Sequence, residues 1–165
     1  CGVQPQSAAE PLSRRDIPLR LAAAPTASSG ATATVRPLYF VRDGKLTPVL
    51  RTLPDQLPKT AVNALLAGPT ADERSRGVTS ALALARIDDV DVQGRVAIVR
   101  LGPSLGNGRT DQVDGIGQVV LTLIADPQID AVQFQQNGQP LPVPTSEGAL
   151  VSRPLSIADY QQLTT

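Results

Sequence analysis

Val35-Arg36-Pro37-Leu38-Tyr39-Phe40-Val41 leads through Arg42 into Asp43-Gly44 and returns as Lys45-Leu46-Thr47-Pro48-Val49-Leu50-Arg51. Two β-prone runs separated by Asp-Gly read as a hairpin closed by a two-residue turn. Pro37 and Pro48 fall on positions whose amides point away from the partner strand, so neither costs a ladder bond. Outward from this hairpin the pattern repeats. Residues 90–93 and 96–101 form a second hairpin around Gly94, and 129–135 with 141–144 a third across Asn137-Gly138. Between them lie two helical stretches. One covers 56–67, capped by Asp55 and ended by Gly68-Pro69, with Ala61, Val62, Leu65 and Leu66 on one face. The other covers 111–125, with Val113, Ile116, Val120, Leu123 and Ile124 on one stripe. One more helical turn is expected at 72–76, and Ser156 with Asp159 forms a capping box for a turn carrying Tyr160. The order ββ-α-ββ-α-ββ predicts an α+β fold, a mixed sheet with two helices on one face.

Register arguments add detail. In the second hairpin, pairing Val92 with Val96 and Val90 with Ile98 would bring all four inward, which requires a three-residue loop 93–95, or a bulge there, with Gly94 at positive φ. In the third, Gln136 faces Gln139, Phe134 faces Leu141 and Val132 faces Val143. Pro140, Pro142 and Pro144 then seal the outer edge against strand addition.

Composition excludes much chemistry. The 165 residues contain no histidine, methionine or tryptophan, one cysteine, two tyrosines and two phenylalanines. Without histidine there is no Ser-His-Asp triad and no imidazole base. A single cysteine allows neither an internal disulfide nor a Cys/His zinc site. Fifteen basic side chains balance fifteen acidic ones, and few rings are available for stacking, so nucleic acid is not an expected partner. No catalytic residue, metal or cofactor is expected.

Residues 1–33 are rich in Ala, Ser, Pro and Thr and carry few large apolar groups, whereas the texture of a folded domain begins at 34 and runs to 165. Cys1 stands where a bacterial lipoprotein carries its diacylglycerol, and two or three acyl chains anchor firmly. The expectation is a tether over 1–33, lipid-attached through Cys1 at the outer face of the cell membrane.

Leu38-Tyr39-Phe40-Val41-Arg42-Asp43-Gly44-Lys45-Leu46, Leu65-Leu66-Ala67-Gly68-Pro69-Thr70, Gln118-Val119-Val120-Leu121-Thr122-Leu123 and Val132-Gln133-Phe134 with Asn137-Gly138 together resemble the GerMN domain of sporulation and spore germination proteins. The resemblance runs from about 35 to 145 and points to the lipoproteins of actinobacteria. It implies a helix–hairpin–helix–strand core like that of ring-building motifs, and an envelope-facing interaction or scaffold role without established catalytic residues. Two departures stand out. Arg100-Leu101-Gly102 replaces an Asp-Leu-Ser, and Gly115 and Gly117 stand where better helix formers are usual.

The remaining constellations read modestly. Asp88, Asp89 and Asp91 form an acidic strand surface. Asp111 and Asp114 suit the positive end of a helix dipole. Gly106-Asn107-Gly108-Arg109 is the candidate interaction loop, and Gln118 and Thr122 are expected at the helix surface. The functional expectation is a membrane-anchored, non-enzymatic lipoprotein. Its domain would bind an envelope protein or peptidoglycan-associated partner, with self-association through helix faces. The alternative is a small-ligand or glycan carrier, which needs a concave site of ~300 Å³ or more.

Overall fold

The structure, a computed structural model, describes residues 33–83, 85–103 and 109–164. Cys1, the expected tether, Gly106, Asn107, Gly108 and the side chain of Arg109 lie outside the described residues. The chain is α+β, and its strands divide among three sheets. β1 (Thr34–Arg42) pairs with β2 (Lys45–Leu53) on one side and with the short β3 (Val78–Thr79) on the other. A four-stranded mixed sheet has the order β4 (Ile87–Gln93), β5 (Val96–Leu101), β6 (Ala131–Gln136) and β7 (Gln139–Pro140), with β5 and β6 parallel. β8 (Val143–Pro144) and β9 (Leu150–Val151) form a separate ribbon.

The first hairpin follows its sequence rung for rung. Arg42 opposes Lys45, Tyr39 opposes Pro48 and Pro37 opposes Leu50. Asp43 and Gly44 both adopt positive φ, as do Asn137 and Gly138 in the third hairpin, so each is a turn of the I′ kind. The second hairpin corrects the expected register. Gln93 pairs with Val96, Val92 with Ala97 and Val90 with Val99, leaving a two-residue turn of Gly94 (φ +64) and Arg95. Ala97 and Val99 are the residues sealed in the core, and Asp91 and Asp89 oppose Ile98 and Arg100 on the other face. The third hairpin holds only at its tip. Leu141 N donates to Phe134 O at 2.9 Å, but Val132 then exchanges two 2.8 Å backbone bonds with Leu155 while Val143 pairs with Val151. The outward backbone groups of Val132, which Val143 would have met, are taken by Leu155, so the strand leaves the sheet after Leu141.

Helix α1 spans Pro58–Leu66, two residues later than expected. Pro58 forces its predecessor out of the helical region, and Leu57 sits extended at ψ 133. Asp55 accepts the Leu57 amide (2.9 Å) ahead of the helix and does not cap it. The turn at 72–76 is α2 (Ala71–Ser75), started by a reciprocal Thr70–Glu73 capping box. Glu73 also pairs with Arg51, whose guanidinium donates to the carbonyls of Ala64 and Gly68 and lies over the Phe40 ring. Burial works to raise the Glu73 carboxyl, yet the Arg51 and Thr70 hydrogen bonds hold it below the ordinary range.

Helix α3 (Arg109–Ile124) is the centre of the domain, buried continuously from Gly115 to Leu123. The two polar residues of that buried stretch overturn the expectation of a surface position. Gln118 and Thr122 are fully buried. Thr122 Oγ1 accepts the Tyr39 amide at 2.9 Å, and Gln118 Nε2 donates to the Tyr39 carbonyl at 3.0 Å. Gln118 Oε1 also takes the Ala81 amide at 2.8 Å. Past the reach of β3, the helix thus completes the open edge of β1 with side chains in place of a neighbouring strand.

The glycines of α3 mark close packing. A methyl on Gly117 would stand 2.7 Å from Leu46 Cδ1 and 2.9 Å from the Tyr160 ring, both buried. On Gly115 it would meet Leu82 Cδ2 at 3.2 Å, a contact that a shift of a few tenths of an ångström relieves. Alanine gains about 0.8–1 kcal/mol of helix propensity at either site, and overpacking costs about 1–3 kcal/mol. Gly117→Ala is therefore expected to lower the melting temperature and Gly115→Ala to hold or raise it. Equal shifts in thermal melts of the two would refute this account.

Candidate functional site

A groove of about 810 Å³ stands out among the concave features of the described residues. Its walls are the first residues of β1 (Thr34 to Pro37) and the end of β4 (Val90 to Val92). The start of α1 and the Ala125–Ile129 loop after α3 complete it. The rim is apolar. Val35 and Leu57 are each 60% exposed and Val92 37%, next to Pro37, Pro58 and Pro127. Side chains of this size left open to water at one place mark a contact surface.

Charge at the groove is mostly self-neutralised. Arg36 occupies an inward position of β1, in register with Leu38 and Phe40, and is only 6% exposed. Its Nη1 donates to Gln56 O (3.1 Å), and Nη2 stands 3.2 Å from Asp126 Oδ2, an ion pair by distance without hydrogen-bond alignment. The pair straps β1, the approach to α1 and the end of α3 together beneath the groove. Lys59 bonds Asp89 Oδ1 at 2.9 Å, and Arg100 reaches Asp89 Oδ2 at 3.0 Å. The Lys59 bond first, then the Val90 amide, lowers the Asp89 carboxyl. Asp91 accepts the Val92 amide (2.9 Å) and has no cationic partner among the described residues.

The acidic residues read from sequence are thus dispersed: Asp88 pairs with Arg86 and Asp89 with Lys59 and Arg100, while Asp91 faces the groove. No cluster of three potential metal ligands occurs among the described residues. Asp111 and Asp114 lie in the opening turns of α3, away from the groove, where burial and then Asp111 raise the Asp114 carboxyl. Phe40 and Phe134 are core residues, and Tyr39 is half-buried. Self-association through helix faces has no surface on α3 between Gly115 and Leu123. The groove residues Val35, Leu57 and Val92 were missed by sequence reasoning. The available signal was Arg36, a cation at an inward strand position that needs a buried carboxylate and so marks a junction of elements.

The family model for Germane, described as sporulation and spore germination, matches residues 37–142. Among solved structures, the tandem GerMN domains of the sporulation protein GerM from Bacillus subtilis align with TM-score 0.63 at 22% identity. The alignment covers 78% of this chain and 48% of that one, so this chain spans about half its length. The first GerMN domain of the same protein aligns with TM-score 0.56 at 25% identity, covering 74% of this chain and 97% of that one. Among curated proteins none matches the sequence.

Proposed function

Because the chain belongs to the Germane family of sporulation and spore germination domains, we propose that it is a non-catalytic interaction module of the cell envelope, lipid-anchored through Cys1 at the outer face of the membrane. The observation that carries the interaction reading is the groove: an apolar rim around cations already paired with carboxylates. Such a concave site suits the holding of a partner. The partner is an envelope protein or a peptidoglycan-associated component. Anchoring is supported by the composition of 1–33, which precedes the matched family region and contains the single cysteine.

The carrier reading has one observation in its favour, since the groove exceeds the ~300 Å³ that a bound small molecule requires. Its open strand edges on both walls fit a macromolecular partner better.

The test places a photo-crosslinking amino acid at Val35 or Leu57 of the full chain in cells, with Leu150 and Ile157, exposed apolar residues away from the groove, as controls. Discrete adducts from the groove positions alone are expected. Adducts of equal yield from all four, or none from the groove, overturn the interaction reading. In the same cells an alkyne fatty acid should label the protein and fail to label Cys1→Ser; labelling that survives the substitution overturns anchoring through Cys1.

A further inference from the structure

We infer that the groove takes an extended polypeptide segment, apolar–basic–apolar in sequence, laid between the free edges of β1 and β4. This rests on the interaction reading above and specifies its ligand. In the first hairpin Arg42 and Lys45 flank the two-residue turn, so bonded rungs recur at Phe40, Leu38, Arg36 and Thr34. The backbone groups of Val35 and the carbonyl of Pro37 therefore point away from β2. β3 covers β1 only at Val41 and Arg42, and Gln118 and Thr122 occupy Tyr39. The edge at Val35 and Pro37 stays open. β4 is the outermost strand of its sheet, and by the same parity from Gln93–Val96 its residues Val90 and Val92 turn their backbone away from β5. All four residues line the groove.

These walls are richer in acceptors than in donors. Pro37 has no amide, Val92 N–H is taken by Asp91, and the Val90 amide acts on the Asp89 carboxyl, lowering it. The carbonyls of Val35, Pro37, Val90 and Val92 are left to be satisfied. An extended peptide presents N–H donors along each edge at every second residue, about 6.6 Å apart, the repeat that these edges also follow. An acyl chain would leave the carbonyls unpaired. The rim of Val35, Leu57 and Val92 calls for apolar side chains, and unpaired Asp91 calls for a cation between them. Arg36 is paired with Asp126, and Lys59 shares Asp89 with Arg100, which lessens their opposition to such a cation. Complementary charge of this kind sets specificity and register.

The probe is the peptide acetyl-Val-Lys-Val-Lys-Val-amide, titrated into the isotope-labelled full chain by NMR, with affinities from calorimetry. Amide shifts are expected at Val35, Leu57 and Val92. Binding should weaken at least tenfold when the lysines become glutamates, and at least tenfold when alternate peptide amides are methylated. Val92→Arg and Leu57→Arg, at exposed positions, should each weaken it tenfold with the melting temperature unchanged. Absence of shifts at millimolar peptide overturns the proposal, and so does equal binding of the N-methylated peptide. Groove shifts caused by a chitooligosaccharide or a detergent in place of the peptide overturn it as well. Groove-specific crosslinks in cells with no peptide binding would remove strand addition alone and leave the interaction reading standing.

Discussion

A chain ended at Pro142 will not fold. The family match stops at that residue, but the core does not: Val143, Leu155 and Tyr160 are 2%, 0% and 0% exposed. Each large apolar side chain contributes about 1.5–3 kcal/mol by full burial, so losing three approaches the ~5–15 kcal/mol that holds a typical domain together. The two Val132–Leu155 backbone bonds are lost as well, leaving the outer edge of β6 unpaired there. Far-UV circular dichroism and amide dispersion should report a largely unfolded chain. A cooperative melt of the truncated protein near that of the full chain would refute the prediction. Tyr160 allows a milder version. Its hydroxyl donates to Pro144 O, and burial, followed by the Asp159 charge, pushes the phenol well up. Tyr160→Phe should cost about 1 kcal/mol for that bond, and Tyr160→Ala several times more through the cavity it leaves.

Gln118→Leu is the second substitution with a large effect. Leucine keeps the bulk but strands the Tyr39 carbonyl and the Ala81 amide, each partly buried against α3. At about 1–3 kcal/mol per unsatisfied group, a loss of roughly 3 kcal/mol is expected. For a domain of this size that lowers the melting temperature by about 10 °C. Thr122→Val strands only the Tyr39 amide and should cost about half as much. The two positions share one partner residue, so the double variant should fall short of the sum. A Gln118→Leu protein that melts within a degree or two of the parent would show that the amide is not needed to close the edge of β1.

Local chemistry was readable and cross-chain chemistry was not. Asp43-Gly44 and Asn137-Gly138 announced their turns because only certain residues tolerate positive φ, and the alternation of Leu38 and Phe40 announced an inward face. The start of α1 was misjudged by weighing Asp55 as a cap above the steric demand of Pro58. Counting Val90, Val92, Val96 and Ile98 alone misjudges the second hairpin, since small Ala97 beside Val99 is what the core accepts. Gln118 and Thr122 looked superficial because polarity was read as exposure. The run from Gly115 to Ala125 carries no charged residue, which is the mark of a helix buried on every side, and polar groups there must be satisfied by something distant. The groove arises where β1, β4, α1 and the loop after α3 meet, and such a meeting leaves no trace in any single stretch.

The dependence of Tyr39 on α3 has a consequence during biosynthesis. Its two helix partners lie 83 and 79 residues further along the chain. At ~5–20 residues per second a ribosome needs roughly 4–16 s to supply them. Once Leu53 has been added, and for the rest of that interval, the β1–β2 hairpin is complete in sequence but carries an unfinished margin beside Tyr39, open to any passing strand. Pro37 and Pro48 shorten the stretch that a stray chain could zip onto, so the same prolines that are tolerated in the finished domain act earlier, as guards for the nascent one.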